Sequence, residues 1–267
     1  MVWGNEGFHH RVKRMDDSLA GVVLAAGAGR RLAPLTWLRP KALCPVAGRP
    51  LVDHALDRLG GVTEQLAVNL HHGAEQLDAH LPPDVHRSFE RPDALGTAGA
   101  LGAMRAWIAG RDVVVTNADA WLDAPDLGAF VAGWDRRCTR LLTVHEPARG
   151  DFGELRYCGV ALIPAATASA FAATPSGLYE VSWRGLAERG ELDLVVHPGG
   201  LIDCGTPRDY LAANLAASGG EAVIDPRARI GAGAVIERSV VWDDAEVAAG
   251  EVLRDAVRAG RWTVLVR

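Results

Sequence analysis

Lysine is almost missing from this chain. It occurs at Lys13 and Lys41 only, and every other basic side chain that is charged at neutral pH is arginine. The bias reads as the mark of a GC-rich genome, but it leaves any chemistry that needs an ammonium with almost no choice of residue. A basic excess is missing too: the formal net charge is −5, which argues against a nucleic-acid partner, since such surfaces cluster cations. Cysteine is sparse. Cys44, Cys138, Cys158 and Cys204 are scattered, and no C-x-x-C pair occurs, so they read as small apolar residues in a reduced, cytoplasmic setting. No run of 18 apolar residues exists, which excludes a transmembrane helix. Residues 1–17 are polar and lack the apolar stretch of a signal peptide, so they read as a flexible leader.

What is present is enough apolar sequence, 49% of 267 residues, to bury a full core. From residue 19 strand and helix patterns alternate. Strands are expected at 21–26, 65–70, 112–117, 139–144 and 160–163. Helices are expected at 51–59, 74–81, 99–108, 127–134, 165–173 and 210–217. This alternation predicts an α/β fold, a Rossmann-like three-layer sandwich on a mainly parallel mixed sheet, with ligands at the carboxyl ends of the strands. The catalytic domain is expected over 18–218. The last segment, 219–267, differs. Ile224, Ile230 and Ile236 recur every six residues, and after a one-residue slip Val241, Val247 and Leu253 repeat the pattern. A six-residue apolar period predicts a short left-handed parallel β-helix-like tail of about two coils; a pair of hairpins is the alternative.

The first strand runs into LAAGAGRRLAPLTWLRPK (residues 24–41). Gly27 and Gly29 let backbone N–H groups approach an anion without a Cβ in the way. Arg31 offers a fork of donors, Lys41 a point charge, and Pro40 a fixed backbone before it. A turn with surface cations is the plain alternative. The dinucleotide fingerprint fails because Leu32 holds the place of its third glycine, and the P-loop fails because no G-K-[ST] exists. Such a loop is suited to wrapping a polyphosphate.

LAAGAGRRLAPLTWLRPKAL followed by PVAGRPL resembles the signature of sugar-1-phosphate nucleotidylyltransferases. The resemblance continues in LGTAGAL (95–101), VVVTNAD (113–119) and LIDCGTPRDYLAAN (201–214), and covers residues 19–218. It is nearest to short bacterial members acting on mannose-, heptose- or muramyl-type sugar phosphates. Arg30 departs from the Thr or Ser common at its place. The family reaction joins an NTP and a sugar 1-phosphate into an NDP-sugar and pyrophosphate. Two anions must meet in line, so neutralisation and alignment dominate the barrier.

The resemblance implies Mg²⁺, held by Asp119 and Asp203, with Arg31, Lys41 and Asp119 as the catalytic set. Both aspartates could instead be turn residues, and Asp123 is expected to face solvent. Many relatives carry a second lysine in Glu-Lys-Pro; here that place reads His145-Glu146-Pro147, with Arg149 shortly after as a candidate for the sugar phosphate. The nucleotide is expected on Leu24, Ala25, Ala26, Gly27, Gly29 and Arg30, and on Gly96 and Thr97. Glu90 is expected at the base, where a carboxylate suits the N1–H and N2–H₂ edge of guanine; GTP is therefore favoured over UTP, dTTP and CTP. A surface Glu is the alternative. Asn117, Gly159 and Glu180 are candidates for the sugar, each with a structural alternative. His71-His72 read as loop residues, and Trp121 and Trp183 as core. The other functions to weigh are a non-catalytic regulatory subunit and a cytidylyltransferase for an alcohol phosphate. A homodimer through the tail is expected from the resemblance.

Overall fold

The two β-branched runs beside the motifs lie next to each other at the centre of a seven-stranded sheet. The computed structural model describes residues 16–266; the leader expected over 1–17 lies, but for its last two residues, outside them. In chain order the strands are β1 (Leu19–Leu24), β2 (Leu66–Leu70), β3 (His86–Phe89), β4 (Asp112–Asn117), β5 (Thr139–His145), β6 (Leu155–Ile163) and β7 (Leu192–Val196). Across the sheet they run β7-β5-β6-β4-β1-β2-β3. Only β6 is antiparallel to its neighbours, β4 and β5. The strands β3 and β7, which the sequence patterns do not announce, form the two edges.

Alternation along each strand makes the three layers. Leu19 and Val23 of β1 face one core with Val68, Val114, Val160 and helix Leu51–Gly60, which buries Val52, Ala55, Leu56 and Leu59. Ala20 and Val22 face the other core with Val113, Val115 and helix Gly96–Ala103. The expected helix over 99–108 starts earlier and breaks at Met104 into Gly96–Ala103 and Arg105–Ile108. Trp183 is core, 5% exposed. Among the described residues no helix is long and apolar enough to cross a membrane.

The tail is a parallel coil. Ile224 pairs with Val241, Ile230 with Val247 and Ile236 with Leu253, an offset of 17 residues in each case. The one-residue slip in the sequence pattern is what shortens each coil to that length. A third layer, Ala256–Ala259, pairs with Val240–Val241 and then turns back into an antiparallel strand, Trp262–Leu265. The coil does not stand apart. Trp242, 1% exposed, packs with Leu32, Leu35, Tyr210 and Leu211, so the tail, helix Pro207–Ala217 and the loop after β1 share one core.

Candidate active site

The strand β1 is flanked by β2 on one side and β4 on the other, so the chain departs in opposite directions from its carboxyl end. That divergence opens a crevice in a doubly wound sheet. A cleft of about 390 Å³ lies there. Leu24, Ala25, Ala26, Gly27, Gly29, Arg30 and Arg31 line it from the opening loop, Gly96 and Thr97 from the opposite wall, and Lys41, Asn117 and Asp119 from its floor. Asn69 and Gly205 line it as well, neither expected from sequence.

The charge centre is built from three distant segments. Asp119 follows β4, and Asp203 ends the short strand Leu201–Asp203, which pairs antiparallel with Ala120–Leu122 in a register that sets Asp203 opposite Ala120. This pairing brings the two carboxylates to one ammonium: Lys41 Nζ lies 2.8 Å from Asp119 Oδ2 and 3.3 Å from Asp203 Oδ1. Lys41 is buried, 7% exposed. Burial works against its charge, but Asp119 and then Asp203 outweigh it and hold its pKa above the ordinary lysine range. Arg31 reaches Asp203 at 3.8 Å while remaining open to solvent. Two glycines are needed for this packing. Gly29 has φ +60°, and a Cβ there would lie 2.9 Å from Lys41 Cβ; a Cβ at Gly205 would lie 3.0 Å from the Arg31 guanidinium. Arg58, missed in the sequence, donates to Thr116 Oγ1 at 2.6 Å and to the Ala120 carbonyl at 3.3 Å, tying down the chain on both sides of Asp119 in sequence.

Glu90 is not where a base-reading carboxylate must be. It is 2% exposed and does not line the cleft. Its Oε1 accepts from Asn69 Nδ2 at 2.7 Å and its Oε2 from the Leu95 N–H at 2.7 Å. Buried, turned to two protein donors and away from the cleft lining, it does not present its carboxylate to the edge of a guanine there, so the expectation of a GTP-reading carboxylate loses its carrier. His71 and His72 are loop residues as expected, with each Nδ1 against a backbone carbonyl, Glu90 and Ala26 respectively.

The sugar-side candidates divide. Asn117 lines the cleft. Gly159 is buried beneath it at φ +85°, where the ladder of β5 and β6 shifts register; a Cβ there would press on Asn117 at 3.3 Å. Glu180 is exposed, on the helical turn Tyr179–Trp183, and lies outside the cleft lining. Arg149 is exposed as well, 3.8 Å from Glu146, and does not line the cleft. Arg156 is closer to the centre than Arg149. Its guanidinium bonds Glu146 at 2.8 Å, lies 4.0 Å from Asp203, and is largely buried. Arg156 was not singled out in the sequence; it lies two residues before buried Cys158 on β6.

Two hard oxygen donors beside a phosphate-sized cleft fit a divalent cation such as Mg²⁺, which takes one or two carboxylates and completes its shell with water and phosphate. Among the described residues there is no cluster of three or more His, Cys, Asp or Glu that could hold a metal alone.

Comparison with known proteins gives a consistent result. Residues 21–224 match the model of the MobA-like NTP transferase domain. An N-acetylmuramate alpha-1-phosphate uridylyltransferase of Caulobacter vibrioides is 32% identical over 72% of this chain and 94% of its own length. A probable mannose-1-phosphate guanylyltransferase of Oryza sativa is 26% identical over 92% of this chain and 81% of its own. Among solved structures, one from Thermus thermophilus titled mannose-1-phosphate geranyltransferase superposes with a TM-score of 0.69 at 18% identity, covering 93% of this chain and 95% of that one. With the cleft, its glycine-lined loop and its Lys–Asp–Asp centre in place, the chain belongs to the family of MobA-like NTP transferase domains.

Proposed function

We propose that this protein transfers a nucleotidyl group from an NTP to a sugar 1-phosphate. The observation that carries this reading is the convergence of buried Lys41 with Asp119 and Asp203 at the rim of a glycine-lined cleft. An oxygen of the sugar phosphate forms a bond to the α-phosphorus of the NTP. The bond from that phosphorus to the bridging oxygen of the β-phosphate breaks, and pyrophosphate leaves with the electron pair. The difficulty is electrostatic, since two anions must come together. Lys41 neutralises charge at the α-phosphate. Arg31, largely exposed at the rim, grips the departing pyrophosphate. Arg156, reaching toward Asp203 from the other side, takes the sugar phosphate in place of a second lysine. Asp119 and Asp203 would hold Mg²⁺, which supplies further neutralisation of the phosphates when bound.

For the base, UTP is the first candidate. A relative that is 32% identical over 72% of this chain is a uridylyltransferase, and Glu90, the one group that favoured guanine, is occupied within the protein. GTP is the second, on the weaker likeness to a guanylyltransferase. A regulatory subunit is disfavoured because Arg31, Lys41, Asp119 and Asp203 are all present and assembled. The test is pyrophosphate release with each of four NTPs against a panel of hexose 1-phosphates. Release with one NTP and one sugar phosphate is expected, with UTP fastest. No release with any combination, for a folded protein with Mg²⁺, would overturn the reading.

A further inference from the structure

A buried carboxylate is costly unless something compensates it. Glu90 is 2% exposed, and neither of the two donors shown at its carboxylate is a cation. What it has is two donors. Leu95 N–H points at Oε2, and Asn69 Nδ2 points at Oε1. Asn69, 3% exposed, turns its own oxygen the other way and accepts from the Ala25 N–H at 2.6 Å. The chain of bonds therefore begins and ends on a backbone donor: Ala25 N–H to Asn69, Asn69 to Glu90, Leu95 N–H to Glu90. Polarity dictates the residue types. Asn69 must accept on one side and donate on the other. Position 90 receives from both sides, so it must be an acceptor only, which an amide is not.

Ala25 and Leu95 belong to opposite walls of the nucleotide end of the cleft. Ala25 and Ala26 line one wall; Ala94, Gly96 and Thr97 line the other. The two histidines brace the same construction from outside, because a carbonyl can only accept and each Nδ1 must donate, His72 to Ala26 and His71 to Glu90.

We propose that the Asn69–Glu90 pair is the positioning device of the nucleobase slot, tying its two walls at a fixed separation so that backbone groups, not the Glu90 carboxylate, select the base. This rests on the nucleotidyl-transfer reading for its ligand, but its test does not need turnover. Removing a buried acceptor leaves a donor facing a donor, a loss on the order of tenfold in whatever depends on the arrangement.

Three variants of the full chain decide it: Glu90→Gln, Asn69→Asp and the double variant Asn69→Asp/Glu90→Gln. In the double variant the carboxylate is moved one link along the chain. It accepts from Ala25 and from the new amide, whose oxygen accepts from Leu95, so every bond is restored. Affinities for four NTPs are measured by isothermal titration with Mg²⁺, and the melting point is followed alongside. Each single variant should weaken the preferred NTP by about tenfold and flatten discrimination among bases, with sugar-phosphate affinity unchanged; the double variant should return within about threefold of wild type. Wild-type NTP affinity in folded Glu90→Gln would overturn the proposal. So would a double variant no better than the weaker single, or equal losses for NTP and sugar phosphate. If Glu90→Gln does not fold, a folded double variant with restored binding supports the pair, and an unfolded one rejects it. Tight NTP binding without pyrophosphate release would sink the transfer reading while leaving this inference standing.

Discussion

The two ends of the cleft are held by different means. At the base end, support is local to the sheet: Asn69 sits beside Leu24 in the ladder of β1 and β2, and its bonds reach only as far as Ala25 and Glu90. At the phosphate end, support comes from far away. The loop from Arg30 to Lys41 presents Arg30, Arg31 and Lys41 to the cleft, while Leu32 and Leu35 are fully buried against Tyr210 and Trp242. Trp242 belongs to the coil; its Nε1 donates to Tyr210 Oη at 3.0 Å, the Tyr210 hydroxyl donates to the Pro45 carbonyl, and Arg39 ion-pairs with Asp243 at 2.7 Å. Hydrogen-bond polarity holds one end, and apolar packing between tail and sheet domain holds the other. The tail is thus part of the foundation of the loop from Arg30 to Lys41.

The contrast can be broken most forcefully at Trp242. Trp242→Ala should cost ~3–5 kcal/mol of stability, the range for emptying a buried aromatic site, and lower kcat while leaving base discrimination intact. Denaturant unfolding and steady-state kinetics check this; an unaffected kcat in the folded variant would free the loop from the tail. Next, Lys41→Ala should reduce kcat by at least ~10²-fold, as for loss of one electrostatic stabiliser, with little change in fold by circular dichroism. Arg156→Met should raise the KM for sugar phosphate by about tenfold, the order for a lost charge-assisted contact, and leave the KM for NTP alone. If Arg149→Met did so instead, the assignment would pass to the exposed arginine. The remaining expectation concerns pH. Burial pushes the Cys44, Cys158 and Cys204 thiols up to about 12. A thiol neutral in the folded chain but ionising near 9.0 when unfolded favours unfolding once pH exceeds that lower value. The melting point should therefore fall between pH 9 and 12, and an alkylating reagent at pH 8 should label Cys138 well before the other three.

Much of the architecture was legible because it is periodic. DVVVTN becomes β4 with its expected bounds, and the six-residue apolar spacing with its slip maps residue by residue onto the coils. The edge strands were not legible. HRSF and LDLVV mix polar and apolar residues because an edge is covered on fewer sides. Among site residues, the opening loop could be read as a run of letters whose chemistry is local. Glu90 could not: whether a carboxylate faces a ligand or two protein donors depends on Asn69, 21 residues away. Arg149 ends the helical turn Pro147–Arg149 while Arg156 lies on β6, a difference that a linear motif does not encode.

By itself the sequence determined the strand and helix patterns, the six-residue repeat, and the lone lysine of the family signature, since these follow from short-range sterics and side-chain periodicity. Only the tertiary structure decided that Lys41, Asp119 and Asp203, separated by 78 and 162 residues from that lysine, meet at one point. Strand order at β1 and the pairing of Ala120–Leu122 with Leu201–Asp203 bring them together, and that order is chosen by burying two faces of one sheet at once, a condition no local segment can satisfy alone.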